Sequence, residues 1–309
     1  MLTLLTHNST AFIYKLKRIK RKLFGEAAYT RGHGAVTGGI TDGLDRLGVE
    51  YNINVTRRSE IGDHVHVLSG FEALHFALEL KRKGKIKRLT VGPNVAVSSA
   101  DEGGIIASDL VDKMLVPSQW VLDAFVEDNP AVEGRIAIWC SGVNPDEWNL
   151  PKQLPAGHQR RCLLYLKYPQ KKLAEQCKAL LESVNIAYES IVYGSYTKDE
   201  MKAKLASVDF AIVFSATETQ GIALFEMWAS DTPTFVWNQG NYQYKLRNYA
   251  ASSAPYLSGE TGCFFRDMQE LETLLTQHTD LSVFHPREWI LANGTNEISA
   301  RSFLNLISE

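Results

Sequence analysis

The feature that most constrains this chain is an alternation that runs twice. Short apolar runs of four to seven residues are separated by polar stretches of helical character, first over residues 35–143 and again from 162 onward. Apolar runs with no polar alternation suit strands buried on both faces, and the amphipathic stretches between them suit crossover helices, so the pattern predicts parallel sheets. Strands are expected at 49–55, 64–69, 89–92, 113–116 and 135–139, with helices at 40–47, 70–83 and 119–127. In the second stretch, strands are expected at 162–167, 187–193, 210–215 and 232–237, with helices at 171–183, 198–206 and 222–230. The closing run 286–307 reads as one or two helices.

Residues 144–160 carry Pro145, Pro151, Pro155 and Gly157 and no clear period, which places the domain linker there. A chain of 309 residues suits two domains. The expected division is 1–34 as a basic N-terminal segment, 35–150 as a shortened first Rossmann-like domain and 151–309 as a second. Both domains are expected to be doubly wound α/β. Ser118 precedes the helix at 119–127, where its hydroxyl suits a cap.

Charge and cysteine content narrow the function classes. A net charge of −2 gives no global positive field for wrapping nucleic acid. Six cations between Lys15 and Lys22 stand without an acid, so the basic character is local. If residues 12–24 are helical, Phe12, Leu16, Ile19 and Leu23 form one stripe with cations around it, the makeup of a helix that lies either on an anionic membrane surface or on the protein itself. Cys140, Cys162, Cys177 and Cys263 form no C-x-x-C pair and have no histidine at metal-ligand spacing, so a reduced, cytoplasmic protein without a metal site is expected. No apolar run approaches the length of a membrane span.

The chemically informative segment runs from Ser215 to Pro233 between two expected strands. Glu218 falls in the loop, Gly221 at the turn and Glu226 within the following helix. Glycine permits close backbone approach, and a helix start offers amides and a favourable dipole to an anion. The plain alternative is that Glu218 caps the helix and Glu226 is a solvated acid.

This segment resembles the E-x7-E motif of retaining glycosyltransferases of the GT-B fold, in the large group 1, family 4-like set that includes sucrose and mannosyl transferases. The resemblance implies two Rossmann-like domains facing across a cleft and a nucleotide-sugar co-substrate with no other cofactor. It implies that Glu226 holds the donor ribose hydroxyls, that Glu218 lies near the transferred sugar, and that amides around Gly221, Ile222 and Ala223 face sugar or phosphate. Thr219 and Ala223 stand where the family commonly has glycine and proline. A second match follows the strand at 162–167, where Lys167 and Lys172 take the places of the family's arginine and lysine beside the diphosphate. Gly38 and Gly39, ahead of the expected helix at 40–47, resemble the glycine loop that approaches the donor phosphates. Asn94 occupies a position where the family often has histidine; His64, His66 and His75 are nearby in sequence. Further landmarks are Val116–Trp120, Ser141–Asn144 and Gly259–Cys263.

The implied activity is retaining, metal-independent transfer of a hexosyl group to a hydroxyl of a glycan or lipid-linked acceptor, in cell-envelope or other glycan synthesis. Glu218, Lys167 and Lys172 are the expected catalytic residues, and attachment to the inner face of the membrane is expected if the basic segment lies on anionic lipid rather than on the protein. A nucleotide-sugar epimerase of the same shape, or a non-catalytic binding or assembly subunit, stays open. A nicotinamide-dependent dehydrogenase is disfavoured because no G-x-G-x-x-G follows a strand.

Overall fold

The computed structural model describes residues 1–6, 32–55, 57–167 and 171–309, so the basic stretch 15–22 lies outside the described residues. The chain divides into two compact units, Met1–Ser141 with Glu297–Glu309, and Gly142–Asn296.

The first unit holds a six-stranded parallel sheet of β1 (Leu2–Leu5), β2 (Tyr51–Ile53), β3 (His64–Ser69), β4 (Arg88–Asn94), β5 (Lys113–Val116) and β6 (Ile136–Ile138), in the order β2-β1-β3-β4-β5-β6. The order reverses beside β1, as doubly wound sheets do. Residues 2–5 are expected to lie outside the domain, yet all four are buried and pair with β3, and Leu2, Thr3 and Leu4 pair with β2 as well. Leu-Thr-Leu-Leu is the short continuous apolar run that an interior parallel strand needs.

Helices α1 (His33–Arg46), α2 (Phe71–Arg82) and α3 (Gln119–Asp128) belong to this unit. The first begins at His33 rather than Ile40, and Val36, Gly39, Ile40, Gly43 and Leu44 form its buried face at helical spacing. The core joins Val65, Val67, Leu74, Leu78, Val91, Met114, Val121 and Phe125.

The second unit holds β7 (Arg161–Leu166), β8 (Ala187–Val192), β9 (Phe210–Phe214), β10 (Thr234–Trp237) and β13 (Gly262–Phe265) in a parallel sheet ordered β13-β10-β9-β7-β8. Between β10 and β13 stands an antiparallel hairpin of β11 (Asn241–Tyr244) and β12 (Arg247–Ala250). The helices are α4 (Lys171–Ser183), α5 (Lys198–Ala206), α6 (Ile222–Ala229), α7 (Met268–Gln277) and α8 (Pro286–Asn293). Cys162, Leu164, Leu181, Ile212, Phe235, Phe265 and Leu271 share one core. Elsewhere in the unit Trp228 packs edge-on against Trp289, with ring centroids 5.4 Å apart, and donates from Nε1 to Thr234 Oγ1 at 3.0 Å.

The proline-rich stretch 144–160 belongs to the second unit, where Lys152 donates to the carbonyls of Leu205 and Val208 and to Thr232 Oγ1 at 2.9–3.1 Å. The division therefore falls at Ser141 and Gly142 rather than near residue 150. The final helix, α9 (Asn296–Ser308), supplies the first unit with residues from Glu297 onward. Trp139 Nε1 donates to the Ser299 carbonyl at 3.0 Å, and the Phe303 ring lies 4.7 Å from the His66 ring and 5.3 Å from that of Trp139. The expected domain 151–309 thus loses its last helix to the first unit, a long-range pairing that no local pattern announces.

Candidate functional site

In the second sheet the chain passes from β7 to β8 on one side and then to β9 on the other side of β7. Connections leaving β7 and β9 diverge, so a crevice opens beyond the carboxyl ends of these neighbours, the usual ligand position in an open parallel sheet. Lys167 is the first residue after β7, and Ser215–Gly221 is the loop after β9.

The backbone amide of Lys167 donates to the Phe214 carbonyl at 2.8 Å, which extends the ladder and fixes the side chain at that edge. Lys167 Nζ lies 2.6 Å from Glu218 Oε2, and Ser215 Oγ donates to Glu218 Oε1 at 2.9 Å. Both carboxylate oxygens thus accept charge-assisted or hydroxyl hydrogen bonds in a partly desolvated setting. The Lys167 ammonium also stands 5.0 Å from the Tyr193 ring centroid, within cation–π range. The loop is held from behind: the Glu218 and Thr217 donors meet the Ser252 carbonyl at 2.9 and 3.3 Å, and Ser253 Oγ donates to the Ser215 carbonyl at 2.9 Å. Ser252 and Ser253 come from the segment that leaves the hairpin.

Gly221 has φ 90° and ψ 61°, the left-handed region, and an added Cβ would lie 2.8 Å from Leu224 Cδ1. Glycine is what lets the chain turn there into α6. No side chain caps this helix. Ile222 and Ala223 are its first two residues, whose amides have no acceptor within the helix, and the dipole adds partial positive charge there. Glu226 is one turn further on the same face and is only 4% exposed. Neither plain alternative holds: Glu218 spends its carboxylate on Lys167 and Ser215 rather than on a cap, and Glu226 is not a solvated acid.

The structure therefore brings together Lys167 and Glu218, and places Gly221, Ile222, Ala223 and Glu226 in the same turn and helix. Lys172 is exposed in the first turn of α4, beyond residues 168–170, which lie outside the described residues. Gly39 does not fit the expected glycine loop. It sits inside α1, where a mid-helix amide is committed to the carbonyl four residues back and cannot turn to a phosphate. Ser215, Ser252, Ser253 and Tyr193 carry no motif that sequence reading finds; only the position of Ser215 just past a five-residue apolar strand hints at its place.

His64 and His66 of the first unit are structural. His66 is fully buried, accepts at Nδ1 from Thr90 Oγ1 at 2.8 Å and donates from Nε2 to the Gly92 carbonyl at 2.9 Å. Thr90 Oγ1, its hydrogen so committed, accepts from His64 Nε2 at 3.0 Å. Burial pushes the His66 imidazole down to about 3, and burial with the nearby Arg88 charge pushes His64 to about 4. Among the described residues no group of three or more His, Cys, Asp or Glu side chains is arranged to hold a metal ion. No described helix is long and apolar enough to cross a membrane.

No protein-family model matches the chain, and no curated protein matches it in sequence. Solved structures do match it. The lipopolysaccharide outer core galactosyltransferase WaaB, in its apo form, superimposes with a TM-score of 0.60 at 11% identity, over 100% of this chain and 99% of that one. WaaG, a glycosyltransferase involved in lipopolysaccharide biosynthesis, gives 0.54 at 10% identity over 98% of both chains. Sucrose-phosphate synthase from Thermosynechococcus elongatus gives 0.53 at 14% identity over 80% of this chain and 73% of that one. At these identities the likeness is one of fold, and the fold is the α/β fold of the GT-B glycosyltransferases.

Proposed function

We propose that this chain is a glycosyltransferase that takes a hexosyl group from a nucleotide-sugar donor bound at the carboxyl edge of the second sheet and passes it to a hydroxyl, with retention of configuration. The observation that carries the reading is the pairing of Lys167 with Glu218 at the reversal of strand order, beside a left-handed Gly221 and a helix that buries Glu226.

Each group has a role in the proposal. Glu226 receives the two ribose hydroxyls of the donor. Lys167, with Lys172 and the Ile222 and Ala223 amides, takes up negative charge as the bond between the sugar C1 and the diphosphate oxygen breaks. The acceptor oxygen forms its bond to C1 on the face the leaving group vacates, and the hydroxyl proton passes to a phosphate oxygen of the departing nucleotide. Glu218, already held by Lys167 and Ser215, contacts the transferred sugar. Positive charge on lysines and amides substitutes for a divalent cation at the diphosphate, so transfer proceeds in the presence of a chelator.

A nucleotide-sugar thermal-shift series tests the donor site. The cognate donor raises the midpoint of the wild type, and Glu226→Ala abolishes that rise. Stabilisation that survives in the variant defeats the assignment. Transfer assays with and without a chelator test the metal-independent step. A second reading, a binding subunit without turnover, draws on Gly39, because it lies inside α1 rather than in a phosphate-facing glycine loop. Donor binding with no transfer across acceptor panels supports that reading, and release of an epimer from donor alone supports an epimerase. The acceptor side of the proposal is a glycan or lipid-linked hydroxyl in cell-envelope synthesis, with the protein in the cytoplasm and docked on the inner membrane face through Lys15–Lys22. Pelleting with anionic vesicles that weakens with salt and with Lys→Glu changes at those positions supports the docking; no pelleting at any salt ends it.

A further inference from the structure

The first sheet has a row of small polar residues along its carboxyl edge. Ser69 ends β3, Asn94 ends β4, Ser118 stands two residues past β5 and Ser141 three past β6, on four neighbouring parallel strands. Ser69 and Asn94 are partners in register, and the pairing of Val116 with Ile138 sets the next two at a similar level. Ser69, Ser118 and Ser141 are 1%, 1% and 0% exposed.

In this row Asn94 Nδ2 and Ser118 Oγ are buried with no hydrogen-bond partner. Ser118 occupies the N-cap position of α3 in extended backbone, where its hydroxyl was expected to cap, but it makes no cap hydrogen bond. Buried polar groups in folded proteins are almost always paired, so an orphan pair on neighbouring strands points to a ligand. The helix that starts there is ten residues long and has no acid in its first turn, unlike α2, whose first turn contains Glu72. The amide of Asn94, the hydroxyl of Ser118 and the backbone amides of Gln119 and Val121 are able to donate, and the helix dipole favours negative charge.

We propose that this edge, built from Asn94, Ser118 and the start of α3, is a binding site for an oxyanion of the phosphate class, carried as a phosphate ester. Its residues all belong to the first unit, whereas Lys167 and Glu218 belong to the second. Assigning the ester to the acceptor rests on the transferase reading; the binding does not.

Transverse-relaxation-optimised NMR of the full-length, deuterated, nitrogen-15-labelled protein tests it. The amides of Gln119, Trp120 and Val121 and the Asn94 side-chain amide are followed while glycerol 3-phosphate, inorganic phosphate or acetate is added. Saturable shifts of these resonances with glycerol 3-phosphate are expected. Ser118→Ala and Asn94→Ala should each weaken that binding about tenfold. Glu226→Ala, in the other unit, should leave it unchanged. Binding of inorganic phosphate to the exclusion of the ester overturns the ester assignment. Absence of saturation into tens of millimolar overturns the site, as does a Ser118→Ala protein that is less stable yet titrates like the wild type, because the hydroxyl is then a cap in solution. Failure of the donor-stabilisation test would leave these shifts untouched, so the two readings fail separately.

Discussion

Lys167 directs its charge at Glu218, and in the proposed reaction a diphosphate must compete with that carboxylate for the same ammonium. The proposal therefore predicts different consequences for the two partners. Lys167→Ala should lower turnover about 100-fold or more, the scale for loss of a charge aimed at a developing anion, and Lys167→Arg should recover part of it. Glu218→Gln keeps the shape and the Ser215 bond but releases the lysine, so nucleoside diphosphate alone should bind tighter while transfer falls. Titration calorimetry alongside initial rates checks the pair; tighter binding with full activity would remove Glu218 from the reaction. His66 makes a prediction about stability. Its folded imidazole stays neutral to about pH 3, whereas the unfolded one takes a proton near its ordinary value of 6.5. The unfolded state thus binds more protons between those limits, and stability falls as pH drops through that window, by about 1.4 kcal/mol per pH unit once well below 6.5. Urea midpoints at pH 7.5, 6 and 5 should converge for wild type and His66→Gln; parallel lines would show that His66 is not the proton acceptor of unfolding.

At the scale of elements, the turn into α6 carries more than its length suggests. Gly221→Ala adds a Cβ in the left-handed region and against Leu224, which should cost about 1–2 kcal/mol in stability and shift the first amides of the helix. Denaturant melts and donor affinity should fall together; a stable variant with weak donor binding would show that the amides alone were disturbed. The elements legible in sequence are those with a strong local period. The strand at His64–Ser69 and the helices at Lys171–Ser183 and Lys198–Ala206 have the expected limits, because alternation and capping residues such as Thr197 mark them. The elements missed are those with a weak one. Four residues of β1 are too few to show a period, and the hairpin Asn241–Ala250 is mostly polar, with Tyr242 and Tyr244 half-buried, Tyr249 buried and Leu246 exposed. In α1, Gly38 and Gly39 read as a loop because glycine is a poor helix former, yet the buried stripe of Val36, Ile40 and Leu44 outweighs that preference.

For the whole molecule, the repeated alternation of strand and helix made the two α/β units legible, and the order from Ser215 to Pro233 made half of the candidate site legible. The other half was not, since Ser252, Ser253 and Tyr193 reach the site through tertiary folding from distant segments. Nor does any local pattern say that a C-terminal helix packs on a sheet formed by the first half of the chain. Phe303→Ala should test that packing. It empties a fully buried site beside His66 and Trp139 and should cost about 3–5 kcal/mol. Hydrogen exchange should then report loss of protection in the first unit, with the second unit and its donor response retained; equal loss in both would mean that they unfold as one.

Because the second unit is one uninterrupted stretch, Gly142–Asn296, set inside the first, the order of biosynthesis follows from topology. A nascent chain leaving the ribosome has all of the second unit's residues before the Phe303 and Ser299 side of the first has been translated. The half made earliest is the half completed last, and until then it waits with the face beside Trp139 uncovered, a surface for chaperones to recognise.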